Sequence, residues 1–340
     1  MIQFMLFMNL WMTYELYKVD ESMNMMVENV HSGFLSPDTL FCTHDCEVLE
    51  KRYPSLEKID SNEVCGAVND TSAYSNLDFT HTFEGYHNTT SLVELLDGLV
   101  QFVCPTIASR ITLGNSVQGR PLAGIQLGTP IAGRASLLYI ANMAGDEVAG
   151  RELLLRLAYT LCSNYAGADA HTLYLLASSV IYIVPSMNPD GFEAGRRENA
   201  NGIDLDRNFP DASFPSYATF AQPETEALMN FTASIRPTAI LQLQGGAAVV
   251  RTTWGCTPNP PATYANPTTE GVLFTELASL YASLNPLLHQ SETFPSGVVA
   301  GAAWFCIIGG YADYAYDHFH AIPLAVFVGN FFYGRFDRLY

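Results

Sequence analysis

The chain is 340 residues long, 49% hydrophobic and 15% charged, and its 16 basic residues against 34 acidic ones give a formal net charge of −18. That length and apolar content suit one large buried domain plus an extension. The acidic balance argues against nucleic acid and against an anionic membrane surface as partners, and no apolar run is long enough to span a membrane.

Residues 1–76 match no recognisable domain and are expected to form an N-terminal extension and linker. Residues 1–12 are mostly apolar but lack a basic start and an evident small-residue cleavage site, so the signature of a secretory leader is incomplete. A short helix broken at Pro54 is expected over residues 47–59, then a polar, acidic linker over residues 61–78. Cys42-Thr-His-Asp-Cys46 holds metal-binding residue types, but not at the usual two-residue gap and with no second cluster nearby; a disulfide or inert thiols fit better. Seven cysteines (Cys42, Cys46, Cys65, Cys104, Cys162, Cys256 and Cys306) leave one unpaired in any full disulfide scheme. Sequons at Asn69, Asn88 and Asn230 permit glycosylation in a secreted chain.

Residues 91–103 read as a helix, with Leu92, Leu95, Leu96, Leu99 and Val103 on one face, Ser91 as its cap and Pro105 ending it. Residues 135–141 form an apolar strand. The pattern breaks at Gly145 and resumes as an amphipathic helix, with Val148, Leu154, Leu155 and Leu157 near helical spacing. Polar residues packed into a strand-to-helix turn sit where α/β sheets place their chemistry, at the carboxyl end of a strand. Residues 179–186 form a second β-branched strand, and Pro223-Glu-Thr-Glu226 opens a helix with acidic residues in its first turn. Residues 238–243 form a strand, 268–284 a long helix and 322–328 a last buried strand.

Several strings then stand out together. They are Tyr139 to Leu155 (Tyr-Ile-Ala-Asn-Met-Ala-Gly-Asp-Glu-Val-Ala-Gly-Arg-Glu-Leu-Leu-Leu), Met187-Asn-Pro-Asp-Gly-Phe192, Asp204-Leu-Asp-Arg-Asn-Phe-Pro210, Gln244-Gly-Gly246 and Gly309-Gly-Tyr-Ala-Asp-Tyr-Ala-Tyr316. From about residue 77 to residue 340 the chain resembles the M14 metallocarboxypeptidases, and among them the carboxypeptidase N/E/D group. The resemblance implies an α/β fold with a mixed parallel and antiparallel central sheet flanked by helices on both faces. It also implies a turn at Ser116 to Arg120 between the first two strands, and a late loop over residues 301–304 and 309–316. The N/E group continues into a small transthyretin-like domain, for which residues 77–340 leave no room.

In that family two histidines and a glutamate hold zinc, which activates water and polarises the scissile carbonyl. A second glutamate acts as general base, one arginine stabilises the oxyanion, an Asn-Arg pair clamps the substrate carboxylate, and a tyrosine closes over it. The resemblance puts Ala144, Glu147 and Gln244 at the three ligand positions, so only the glutamate is kept. It puts Phe327 at the base position, Arg197 at the oxyanion arginine, Asp206 and Arg207 at the clamp, and Tyr316 at the capping tyrosine. The acidic residue that selects basic side chains falls at Gly255. Glu147 could equally be a remnant paired with Arg197 or Arg207, and Asp146 beside it is expected to point elsewhere. His318 and His320 alternate on the approach to the last strand, a spacing that could serve a relocated metal.

The expected function is therefore that of a catalytically inactive carboxypeptidase homologue without zinc, secreted, whose residual Arg197, Arg207 and Tyr316 pocket or surface binds a peptide or protein C-terminus. One alternative is an active carboxypeptidase with an altered zinc site, and another an incomplete or degenerate gene product.

Overall fold

A computed structural model describes residues 85–216, 220–258, 270–291 and 293–329. The expected extension and linker, the short helix at 47–59, Cys42, Cys46, Cys65 and the Asn69 sequon lie outside these residues. The described chain begins with helix α1 (Thr89–Gly98), which loosens into a wider turn over Leu99–Val103. Its cap is Asn88, not Ser91: the Asn88 side chain accepts from the Ser91 amide, so the helix starts two residues earlier than expected. Leu92, Leu95, Leu96 and Leu99 are buried as the spacing requires.

Strands β1 (Ala108–Asn115) and β2 (Pro121–Leu127) form an antiparallel pair across the turn at Ser116 to Arg120. Then come β3 (Ala135–Ala141), helices α2 (Ala149–Ala166) and α3 (Ala170–Ser178), and β4 (Ser179–Val184). Helix α4 (Pro189–Ala194) and helix α5 (Pro223–Ile235) precede β5 (Ala239–Gln244) and β6 (Ala247–Thr252). Helix α6 (Gly271–Ser283), β7 (Val298–Ala300), α7 (Tyr311–Phe319) and β8 (Ile322–Gly329) complete the described chain.

The strands make one sheet in the order β1-β2-β4-β3-β5-β8-β6-β7. The four central strands, β4, β3, β5 and β8, run parallel; β2 and β6 join their edges antiparallel, and β7 runs parallel to β6. Alternation along β3 explains the two-faced core. Leu137, Tyr139 and Ala141 join the apolar layer under α1, α2 and α6, while Leu138 and Ile140 join the layer with α5 and α7. The mixed sheet with a helical layer on each face is the expected architecture.

One segment differs from expectation. Residues 309–316 are expected as a loop, but helix α7 spans Tyr311–Phe319, with Tyr311 and Ala315 fully buried against the sheet. Apolar residues one turn apart on an amphipathic face supply the burial that a loop would lack. The helix also separates His318 from His320. His318 belongs to α7 and packs on Tyr314, whereas His320 is the left-handed C-cap at φ 52°. The strand-like alternation expected of this pair is absent.

Candidate functional site

The site lies at the carboxyl ends of β3, β4, β5 and β8, where parallel α/β sheets leave a crevice. The β3–α2 turn is held by Asn142, fully buried and at φ 56°. Its amide nitrogen donates to the Ala144 and Gly145 carbonyls, both at 3.0 Å, and its oxygen accepts from the Ser186 hydroxyl at 2.8 Å. Gly145 is required by close approach: a Cβ there would lie 2.3 Å from the Gly191 carbonyl carbon. The Gly145 amide donates to Arg197 O at 2.9 Å, and Asn188 ties Met143 O to Arg197 O. Two segments far apart in sequence are thereby locked together, with Glu147 and Arg197 side by side.

Glu147 is buried. It accepts from Arg197 Nη1 at 3.1 Å through one oxygen and from the Gly245 amide at 2.8 Å through the other. Burial pushes its carboxyl up to about 7, against the opposing pull of the Gly245 amide and Arg197. Arg197 also donates to Asp204 at 2.8 Å. Burial alone would lower the Arg197 guanidinium, but Asp204, Glu147 and Asp206 more than reverse this and leave it raised. Asp146 lies next to the pair with one carboxylate oxygen buried and unbonded, and burial raises its carboxyl.

Opposite this turn, Gln242 and Gln244 project from the same face of β5, two residues apart. Both amide nitrogens donate to Asp206, at 2.9 Å and 2.6 Å respectively. Asp206 is 4% exposed, and burial raises its carboxyl. The residue expected at the clamp is thus bonded to a residue expected at a ligand position, and both are buried. Phe327 is the in-register neighbour of Gln244 on β8 and packs edge-on against Trp304 with centroids 5.0 Å apart. Its ring offers no acceptor for a proton.

The remaining expected site residues line the more open side. Arg207 lies 3.5 Å from Asp204, and its Nη1 donates to Cys306 O at 3.4 Å. Tyr316 sits on α7, its ring against Trp254 and Phe274 and its hydroxyl bonded to Glu270. Gly255 donates its amide to both oxygens of Asp313. The Cys256–Cys306 disulfide joins the two segments carrying Gly255 and Phe305, and a second bridge, Cys104–Cys162, ties the turn after α1 to α2. Sequence reading missed Gln242, Asp204, Asp313 and Arg251 as members of this site. The glutamine spacing on β5 and a lone arginine inside the apolar stretch 247–252 were the available signals.

The family described as zinc carboxypeptidase, peptidase M14, matches residues 93–330, and this chain belongs to it. The chain is 39% identical over 219 residues to carboxypeptidase SOL1 of Arabidopsis thaliana, covering 63% of this chain and 44% of that protein. It is 30% identical over 266 residues to the carboxypeptidase N catalytic chain of Rattus norvegicus, covering 66% and 58%. It therefore spans about half the length of these relatives. The structure of bovine thrombin-activatable fibrinolysis inhibitor in complex with tick carboxypeptidase inhibitor shares the fold, with a TM-score of 0.59, 15% identity and coverage of 75% of this chain and 89% of that one.

The family's zinc ion does not fit the residues present here. Ala144 presents a methyl group, and Glu147 has both oxygens engaged. The Gln244 nitrogen is held by Asp206, which leaves one buried, unbonded amide oxygen as a neutral donor. A stable zinc site takes three or four protein ligands in fixed geometry. Among the described residues, no three His, Cys, Asp or Glu side chains cluster in a way that could hold a metal ion.

Proposed function

We propose that this chain is a catalytically inactive carboxypeptidase homologue that binds peptide or protein C-termini. The observation carrying the reading is the Asp206–Gln244 hydrogen bond at 2.6 Å, which uses a clamp position and a ligand position to satisfy each other. Ala144 and Phe327 supply neither a metal donor nor a base. Arg197 and Arg207 keep side chains 37% and 39% exposed, and guanidinium groups at that position are suited to an anionic terminus. The two disulfides and the exposed Asn88 and Asn230 sequons favour a secreted or extracellular setting. Among the described residues no helix is long and apolar enough to cross a membrane.

The test pairs turnover with binding. Purified protein should release no C-terminal residue from peptides, by mass spectrometry, and should bind a free-acid peptide more tightly than its amide by calorimetry. Asp206→Asn should widen that difference, because it removes a negative charge behind the clamp. Chelator-sensitive release accompanied by one zinc per chain would overturn the inactive reading. Equal affinity for acid and amide in both variants would overturn the clamp.

A further inference from the structure

Beside the candidate site lies a buried cation that the reading above does not use. Arg251 sits on β6, opposite Ala325 of β8 and Val299 of β7, on the sheet face that also carries Val249 and Phe327. It is 6% exposed, and among the described residues it makes no hydrogen bond and no ion pair within 4 Å. Its neighbours on this face are Val249, Val299, Ala325 and Phe327, which form an apolar cluster that a valine or leucine would continue. A charge removed from water without a bonded partner is costly, so packing alone does not account for an arginine here.

Two carboxylates lie near enough to be felt, Asp313 and Asp206. Neutralising them would be the plain structural role. Yet both are bonded elsewhere: Asp313 takes the Gly255 amide with its two oxygens, and Asp206 takes the Gln242 and Gln244 amides. Neither carboxylate forms a hydrogen bond or ion pair with Arg251. The space around the guanidinium is shaped for it. A Cβ on Gly255 would lie 2.1 Å from Arg251 Nη2, and one on Gly301 would lie 2.7 Å from Nε. Phe305, 37% exposed, covers one side with its ring centroid 5.3 Å from the guanidinium carbon. Arg207 donates to Cys306 O at 3.4 Å, the residue next to the Phe305 that covers Arg251, so the two cations flank one short segment.

The geometry points to Arg251 as the residue that reads the last side chain of a bound peptide, selecting an acidic one, glutamate or aspartate. This rests on the reading of the pocket as a C-terminus site. The terminal carboxylate is held at Arg207 and the side-chain carboxylate at Arg251. A guanidinium presents paired donors that match a carboxylate, and such charge-assisted bonds are strong where water is excluded.

Peptides of one sequence ending in Glu, Gln or Lys, each as free acid and as amide, separate the two cations. Calorimetry on the wild-type chain should show the Glu peptide binding at least tenfold more tightly than the Gln peptide, with the Lys peptide weakest. Arg251→Gln should erase the Glu-over-Gln preference while leaving the acid-over-amide preference, and Arg251→Lys should retain part of the former. Circular dichroism and thermal melting establish that each variant is folded. A wild-type chain that binds Glu and Gln peptides equally overturns the inference whatever the variants do, as does a folded Arg251→Gln that keeps the preference. Loss of acid-over-amide selectivity with the Glu preference intact would sink the clamp and leave Arg251 standing. No binding of any peptide at millimolar concentration overturns both.

Discussion

The β3–α2 turn and the β5 corner that faces it differ in what their hydrogen bonds serve. In the turn, Asn142, Gly145 and Asn188 hold the backbone so that position 144 and Glu147 face the crevice. In the corner, Gln242 and Gln244 bond Asp206, so the bonds join side chains to one another. The backbone of the turn is bonded in place, while the polar side chains of the corner satisfy one another. Geometry and chemistry are separable here because they rest on different residues.

The largest effect should come from the scaffold. Asn142→Ala removes a fully buried amide and leaves the Ala144 and Gly145 carbonyls and the Ser186 hydroxyl without that partner. A loss of roughly 3 kcal/mol or more is expected in urea unfolding, since each unmet buried group costs about 1–3 kcal/mol. A loss below about 1 kcal/mol would mean that the turn does not depend on Asn142, and the contrast with the corner would dissolve.

The second test uses pH. The Glu147 carboxyl stands at about 7 in the folded chain against an ordinary value of 4.5. Between these values the folded state binds more protons than the unfolded one, so stability falls as pH rises from about 4.5 to 7 and then levels off. The difference corresponds to roughly 3 kcal/mol. Asp313, which burial also lifts to about 7, adds a fall in the same direction. Glu147→Gln should flatten the slope of melting temperature over that window. An unchanged slope would show that the Gly245 amide and Arg197 already compensate the buried charge.

The smallest of the three effects is the rebuilding of chemistry on the scaffold. Ala144→His with Gln244→His recreates two histidines around Glu147, and elemental analysis should find zinc taken up. Turnover should stay near zero while Phe327 occupies the base position. Adding Phe327→Glu should raise hydrolysis by at least the roughly 10²-fold attributed to a placed base. A folded double variant that takes up no zinc would show that the turn no longer has the family's geometry.

Most of the sheet was legible because its central strands are short, mostly apolar runs. The 135–141 strand coincides with β3, and the 322–328 strand runs one residue further, to Gly329. The start of α1 was misplaced because Asn88, Thr89, Thr90 and Ser91 all cap well, and only tertiary contacts decide among them. Thr89 is drawn into the fold by Glu193, to which its amide and hydroxyl both donate. Helix α7 was missed because the resemblance assigns residues 309–316 to a late loop, although Tyr311, Tyr314 and Ala315 already mark one amphipathic face. At the site, motif comparison singled out Asp206 and Gln244 separately, but not that they bond each other. Pairing across 38 residues is a property of the folded crevice, not of either string. Arg251 was passed over for the same reason, since a single charge in a strand has meaning only once its neighbours are known.

The Cys256–Cys306 bridge bears on how the protein must be prepared. It fastens the segment after Gly255 to the segment after Phe305, one link away from both residues that shape the Arg251 surroundings. The sheet does not need this link, since its strands are bonded along their own length. Material made in a reducing cytoplasm would therefore give an ordinary circular dichroism spectrum while its pocket rim was unfastened. A negative binding result on such material would describe the expression host rather than the protein, so thiol titration belongs ahead of any ligand screen.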